Sequence, residues 1–539
     1  MTVTGVRRRL VLAVLAAAAL FALAVATRAT GHGGGARIVP LAVTSIEGQS
    51  ATQPTPTSTC KSARGISCYS PAQFEKAYDL AGLHAQGIDG SGETIAIVDS
   101  FGSPTIANDL HQFDQTFGVS NPYGIPVDPA IAQDPSLQII TPAGAPPSFD
   151  PTNGDMVGWA QETTLDVEWA HVIAPKANIL LVETPVSETE GVTGFPEIVT
   201  AENYVIDHHL ANVISQSFGA TEETFPSKQS LLDLRSAFVN ADRHDVTVLG
   251  ASGDEGTTDY ESNLEDLYPF RVNSWPSSDP LVTSVGGTKL TLDDAGNRLA
   301  PDVVWNDSAI GIQAASGGGV SSVFRRPKFQ DEVAGVVGEA RGTPDISMNA
   351  AVDGGVWVYY TFVGASSPWH IFGGTSAATP EFAGIVAMAD QVAGKSLGNI
   401  NDDLYRLHGQ KSGIVDVTEG NNDIGPFQNS DGNTYHVAGF CARKGYDLAT
   451  GLGTPLSTGL VCPEIAWVRP GRAAAGAHVT VEGMGLAHAT ITFNGVAAQV
   501  VSRSTAAVTV IVPPGSGTAT LRGSDAMGTG TYHVTFTYG

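Results

Sequence analysis

Short, continuous apolar runs set the frame of this chain: Ile95-Ala96-Ile97-Val98, Ile179-Leu180-Leu181-Val182, Val213-Ile214, Val246-Thr247-Val248-Leu249 and Val282-Thr283-Ser284-Val285. A strand buried on both faces reads as such a run, whereas a half-solvated strand alternates. Helical stretches accompany them, at residues 71–83, 198–209 and 228–243. Strands alternating with helices predict a parallel sheet covered on both faces, an α/β fold. The pattern changes after Cys462. Short alternating strands follow at Val479-Thr480-Val481, Thr490-Ile491-Thr492-Phe493, Ala507-Val508-Thr509-Val510-Ile511 and Tyr532-His533-Val534-Thr535-Phe536, with turns at Asn494-Gly495 and Pro513-Pro514-Gly515. No helical stretch interrupts them, so residues 463–539 read as a separate small all-β sandwich.

The amino-terminal end has a different character. Arg7-Arg8-Arg9 precede an apolar run over residues 10–26 that ends in Ala24-Val25-Ala26. A basic start, an apolar middle and small residues at the exit predict a cleaved secretory signal peptide over residues 1–26, with an uncleaved membrane anchor as the alternative. Residues 27–69, rich at first in Gly, Ser, Thr and Pro, read as a linker or short pro-segment, and the globular pattern runs over 70–462. Export suits the four cysteines. Cys60 with Cys68 and Cys441 with Cys462 is the economical pairing, although four cysteines allow three connectivities. With 54 acidic against 28 basic residues, the net charge is −26. That balance excludes a polyanion such as nucleic acid as partner and suits solubility in mildly acid surroundings.

The chemistry begins at Gly373-Gly374-Thr375-Ser376-Ala377-Ala378-Thr379-Pro380, between an apolar run ending at Phe372 and a buried helix. Glycines before a serine at a strand-to-helix turn uncover its hydroxyl and direct backbone N–H groups at a ligand. Ser376 is therefore a candidate nucleophile, though in isolation it reads equally as a helix cap. A base is needed. Asp99 follows the first strand, as the aspartate of a subtilisin does. None of the six histidines between Asp99 and Ser376 sits in a His-Gly-Thr context at a helix start. His171 comes late in a helix, His208 and His209 end another, and His370 belongs to a strand. Instead, Glu162 and Asp166 stand four apart in a helical stretch ending before Pro175, on one face. Two carboxyls that close share a proton, so one can accept the serine proton while the other orients it. A solvated acidic helix face gives the same pattern, and Glu168, two residues on, is assigned to solvent. In Gly250-Ala251-Ser252-Gly253-Asp254-Glu255-Gly256, after the strand ending at Leu249, Asp254 takes the place where a subtilisin has an oxyanion-binding asparagine. An ionised carboxyl cannot donate there; a protonated one can.

Glu-x-x-x-Asp, then Ser-Gly-Asp, then Gly-Thr-Ser-x-x-x-Pro is the order that resembles the sedolisins, serine-carboxyl peptidases of subtilisin-like fold that act at acid pH. The resemblance covers roughly residues 70–462 and includes Ser215-Gln216-Ser217-Phe218-Gly219, Val285-Gly286-Gly287-Thr288, Gly317-Gly318-Gly319-Val320-Ser321 and Pro344-Asp345-Ile346. It implies Ser376 as nucleophile, Glu162 as base, Asp166 as partner of Glu162 and Asp254 as oxyanion donor. Ser217, Phe218 and Gly219 would lie along the substrate backbone. It also implies one Ca2+ held by Asp416 and Asp447 with the carbonyls of Val417, Arg443 and Gly445, a hard-oxygen set. Arg443 stands where the family has glycine. Sedolisins carry a long prodomain, for which residues 27–69 are too short, so this chain would fold unaided or with help from a partner. Residues 463–539 resemble the immunoglobulin-like IPT/TIG modules through Pro470, Gly476, Gly483-Met484-Gly485, Pro513 and Phe536-Thr537-Tyr538.

The expectation is a secreted serine-type endopeptidase that works as a monomer on protein or peptide substrates. The carboxyl-terminal module leaves contact with a cell surface or carbohydrate open. A catalytically inactive exported binding protein and a neutral subtilisin-like protease are the alternatives.

Overall fold

The computed structural model describes residues 44–45, 51–119, 137–364, 366–407, 413–461, 464–484, 486, 489–503, 507–524 and 534–539. The predicted signal peptide, Cys462 and the start of the last predicted strand lie outside them.

The apolar runs form one eight-stranded sheet. Its strands are β1 (Thr94–Ser100), β2 (Leu137–Ile140), β3 (Asn178–Thr184), β4 (Val213–Gln216), β5 (Thr247–Ala251), β6 (Thr283–Lys289), β7 (Val303–Val304) and β8 (Ile346–Asn349). The order is β7-β6-β5-β4-β1-β3-β2, with β8 also paired to β6. All pairings are parallel except β6 with β7. The chain therefore starts in the middle of the sheet and winds outward both ways. In such a sheet ligands meet the carboxyl ends of the strands at the switch between the two directions. Helices α1 (Ile106–Phe117), α2 (Gly154–Ile173), α3 (Phe195–Asp207) and α4 (Thr375–Ala393) cover it. One core lies under α2 and α4 and a second under α3.

Two predicted helices are broken in the structure. Residues 71–83 divide into Pro71–Ala77 and Ala81–His84 around Asp79, whose φ is 58°. The stretch 228–243 divides into Lys228–Leu232 and Ser236–Arg243. Amphipathic periodicity survives a one-turn break, so the pattern alone did not reveal either interruption.

Part of the segment expected as a linker or short pro-segment is folded. Thr57–Arg64 is a helix, Cys60 is disulfide-bonded to Cys68, and Cys68–Tyr69 is a strand. That strand and Thr44–Ser45 flank β9 (Gly355–Tyr359) and β10 (Trp369–Gly373) in a four-stranded sheet. Thr44 lies opposite Gly373, and Ala51 opposite Trp369. Within the described residues, this segment is thus part of the body that delivers Ser376. Local composition gave no sign of it, because the partner strands lie some 300 residues further along the chain. Cys441 is a free, exposed thiol, and Cys462, its economical partner, lies outside the described residues. The eight-residue separation of Cys60 and Cys68 brings the two thiols together through the helix between them, while a longer separation carries no such constraint.

Residues 464–539 form two facing sheets. One orders Glu464–Arg469, His478–Met484, Ala507–Ile511 and Gln499–Arg503; the other Arg472–Ala473, Val534–Tyr538, Thr518–Ser524, Thr490–Phe493 and Val496–Ala497. Their inner faces share a core of Val479, Val481, Ile491, Phe493, Val508, Val510, Leu521 and Phe536. No described residue there is helical.

Candidate active site

The nucleophile candidate sits where β10 turns into α4. Gly374 caps the helix with φ 103°, an angle open to glycine and strained for other residues. Ser376 is in the first helical turn, fully buried. Pro380 lies inside the helix and has no N–H for the Ser376 carbonyl one turn earlier. The Ser217 hydroxyl faces that freed carbonyl at 3.4 Å, and the Ser376 hydroxyl faces the Ser217 carbonyl at 3.5 Å. This reciprocal contact fastens the end of β4 to the nucleophile turn. Phe218 sends its ring the other way, into the core against Trp159 and Phe195, each 6.2 Å away. Only its backbone remains for a substrate.

Glu162 and Asp166 are both fully buried on α2. The helix is enclosed on every side, with Trp159, Leu165, Val167, Trp169 and Ala170 all inaccessible. It packs on α4 so closely that a Cβ on Gly384 would stand 2.6 Å from that of Ile173. Enclosure overturns the assignment of Glu168 to solvent. Glu168 is fully buried and accepts the Tyr359 N–H at 3.1 Å. Apolar residues all round α2 were the available signal.

Asp99, at the end of β1, completes a set of three carboxyls. Burial raises Glu162 well above its ordinary value, and the charges of Asp99 and Asp254 add to that; the Ser376 hydroxyl and Asp166 pull it back. Burial raises Asp166 as well, followed by the charges of Asp99 and Glu162. Asp99 itself is pushed up to about 7 by burial, with Thr163 opposing. No carboxyl oxygen of the three makes a close hydrogen bond. Such contacts are characteristically long before substrate arrives. Burial and mutual repulsion thus favour the protonated forms within the set.

Across Ser376 lies Asp254, 1% exposed. Its Oδ1 accepts the Thr375 N–H at 2.8 Å and the Thr375 hydroxyl at 2.9 Å. Both donors converge on one oxygen and fix the carboxyl against the nucleophile turn. The loop is buttressed by Gly317, whose N–H donates to the Gly253 carbonyl at 2.7 Å. A Cβ on Gly317 would fall 2.2 Å from the Ser252 carbonyl oxygen, so the close approach requires glycine.

None of the six histidines between Asp99 and Ser376 shares this site. His171 faces buried Asp114 at 3.3 Å. His111 contacts Gln115, His208 stacks on Tyr204, and His209 lies against His244. His370 stacks on Tyr360 at 4.0 Å and is lowered to about 4 by burial. Those are all six histidines between Asp99 and Ser376.

The expected metal ligands meet at one loop. Asp416 accepts the Gly445 N–H at 2.9 Å and Asp447 accepts the Arg443 N–H at 2.9 Å. The second Asp447 oxygen accepts from Ala449 and Thr450 at 3.0 and 2.9 Å. Arg443 is absent from the residues with positive φ, so the position does not require glycine. Among the described residues, no three His, Cys, Asp or Glu side chains cluster as a metal cage. A cation here would draw on two carboxylates and carbonyls, a set that fits Ca2+ better than a softer ion.

Residues 154–401 match the subtilase family and residues 463–538 the IPT/TIG domain. The chain is 32% identical over 402 residues to kumamolisin from Bacillus sp. (strain MN-32), covering 73% of this chain and 63% of that protein. It is 32% identical over 271 residues to sedolisin from Pseudomonas sp. (strain 101), covering 49% and 43%. It is 31% identical over 264 residues to human tripeptidyl-peptidase 1, covering 46% and 42%. The chain thus spans less than two thirds of the length of each of these relatives. A solved structure of Pseudomonas sedolisin complexed with two molecules of pseudo-iodotyrostatin superposes with TM-score 0.56 at 26% identity, covering 72% of this chain and 96% of that one. The fold is a subtilisin-like α/β domain followed by an all-β IPT/TIG domain.

Proposed function

We propose, on the premise that this chain is a relative of the sedolisins, that it is an exported serine-carboxyl endopeptidase acting at acid pH. What supports this most is that the buried Glu162 carboxyl interacts with the buried Ser376 hydroxyl and Asp254 accepts from the adjoining Thr375 N–H, with every histidine between Asp99 and Ser376 engaged elsewhere. In this reading Glu162 takes the proton as Ser376 Oγ attacks the peptide carbonyl. Protonated Asp254 donates from Oδ2 to the oxygen that becomes negative. Glu162 returns its proton to the departing amine, and water then releases the acyl group by the same steps in reverse order. Asp166 and Asp99 hold the neighbouring protons that keep Glu162 poised. Carboxyls instead of imidazole confine the cycle to acid pH, where the cluster keeps those protons.

Export rests on the amino-terminal pattern and is supported by the Cys60–Cys68 disulfide, a feature of oxidising compartments. Ca2+ bound at Asp416 and Asp447 with the Val417, Arg443 and Gly445 carbonyls would tie down the loop after α4. The IPT/TIG domain is the candidate for contact with a surface or carbohydrate, and the enzyme works as a monomer on protein or peptide substrates. A pH profile of casein cleavage, wild type beside Ser376→Ala, tests the reading. An acid optimum that Ser376→Ala abolishes supports it; a neutral optimum, or activity retained by the variant, overturns it.

A further inference from the structure

Beside the catalytic carboxyls lies a cavity that the proposed chemistry does not use. It is about 210 Å3 in volume, and its walls include Phe101, Pro146, Phe149 and Met156. Among the described residues its one charged wall residue is Glu183, at the end of β3 directly opposite Asp99 in the sheet. The carboxyl packs against Gly102, where a Cβ would fall 1.9 Å from Oε1; Gly102 has φ 75° and leaves that space free. Among the described residues no basic side chain is paired with Glu183. Burial, followed by the Asp99 charge, pushes it up to about 7, so the carboxyl lacks a compensating cation. Ser103, also in the wall, has its hydroxyl 3.3 Å from that of Thr164 on α2. That contact sets the cavity against α2 on the face away from Glu162 and Asp166, and its link to the carboxyl set runs through Glu183 beside Asp99.

We propose that this cavity is a substrate subsite for a basic side chain, lysine or arginine, whose methylenes lie along the Phe and Pro walls and whose charge meets Glu183. An aromatic and proline wall suits an aliphatic stem, and a cation bound there draws Glu183, protonated below about pH 7 when the cavity is empty, into its ionised form. The proposal rests on the peptidase reading for its role but not for its test. A set of hexapeptides carries lysine at one position each and is matched by a set carrying norleucine, which keeps the stem and lacks the charge. Cleavage is followed with the wild type, and affinity by calorimetry with Ser376→Ala protein, each with and without Glu183→Gln. The expected result is one position at which lysine is favoured about tenfold over norleucine, falling to within about twofold in Glu183→Gln. Phe149→Ala should weaken lysine and norleucine peptides alike at that position. No lysine-preferring position, or a preference that survives Glu183→Gln, overturns the subsite. If the wild type cleaves nothing yet the calorimetric preference is present and lost in Glu183→Gln, the subsite stands and the peptidase reading falls.

Discussion

Replacing Asp254 separates donor chemistry from fold. In the wild type, Oδ1 accepts from the Thr375 N–H and hydroxyl at 2.8 and 2.9 Å, and in the proposed mechanism Oδ2 donates. Asp254→Asn keeps a carbonyl oxygen for both Thr375 donors and puts an N–H2 where Oδ2 stood. It can therefore donate at every pH. Asp254→Ala removes the donor and leaves the buried Thr375 N–H without its acceptor, while the Thr375 hydroxyl keeps the Gly253 carbonyl at 3.3 Å. Losing one oxyanion donor costs about 3 kcal/mol, a hundredfold or more in rate. The stranded buried N–H adds about 1–3 kcal/mol to the cost of folding. The first loss is read in kcat/KM and the second in the melting temperature, so the two are measured apart. With one peptide substrate assayed from acid to neutral pH, Asp254→Ala should be at least a hundredfold slower throughout. Asp254→Asn should gain on the wild type as pH rises, even if its maximum is lower, because an ionised Asp254 repels the negative oxygen and an amide does not. The gain ends where the Glu162–Asp166–Asp99 set loses its protons. If Asp254→Ala matches the wild type, or Asp254→Asn follows the wild-type profile at every pH, Asp254 is structural and the mechanism is wrong.

Ser376→Ala should abolish hydrolysis with the melting temperature nearly unchanged, since one buried hydroxyl with a 3.5 Å contact is removed; residual cleavage above background argues against the nucleophile. Ca2+ should raise the melting temperature by binding the folded form alone, by about 2.7 kcal/mol at a hundredfold excess over Kd. A chelator that leaves the curve unmoved, with Asp447→Ala behaving like the wild type, removes that site. Stability should fall as pH rises: burial raises Glu202 to about 8 and raises Glu381 well above its ordinary value. Groups raised on folding contribute fully below their unfolded value near 4.3, and the contribution is lost as pH climbs through the folded values. Urea denaturation across that window should show the decline, with a shallower slope for Glu381→Gln; equal slopes would mean that Glu381 is not protonated in the fold.

What the sequence by itself determined was whatever is local or periodic. Continuous apolar runs gave the parallel strands because a strand covered on both faces has no polar positions to show. Glycines before Ser376, the four-residue spacing of Glu162 and Asp166 and the Ser-Gly-Asp loop located the candidate residues, since each needs only its own neighbours. Tertiary structure decided what depends on distant partners. It buried Glu168 by enclosing α2 on every side, and drew Thr44–Ser45 and Cys68–Tyr69 into a sheet with β9 and β10. It left Cys441 unpaired and turned Phe218 into the core. It also set Asp99 beside Glu162 and Asp166, and Glu183 opposite Asp99. Carboxyls dozens of residues apart in the chain share one desolvated space because the sheet's winding brings their strand ends together, and no spacing along the sequence records that.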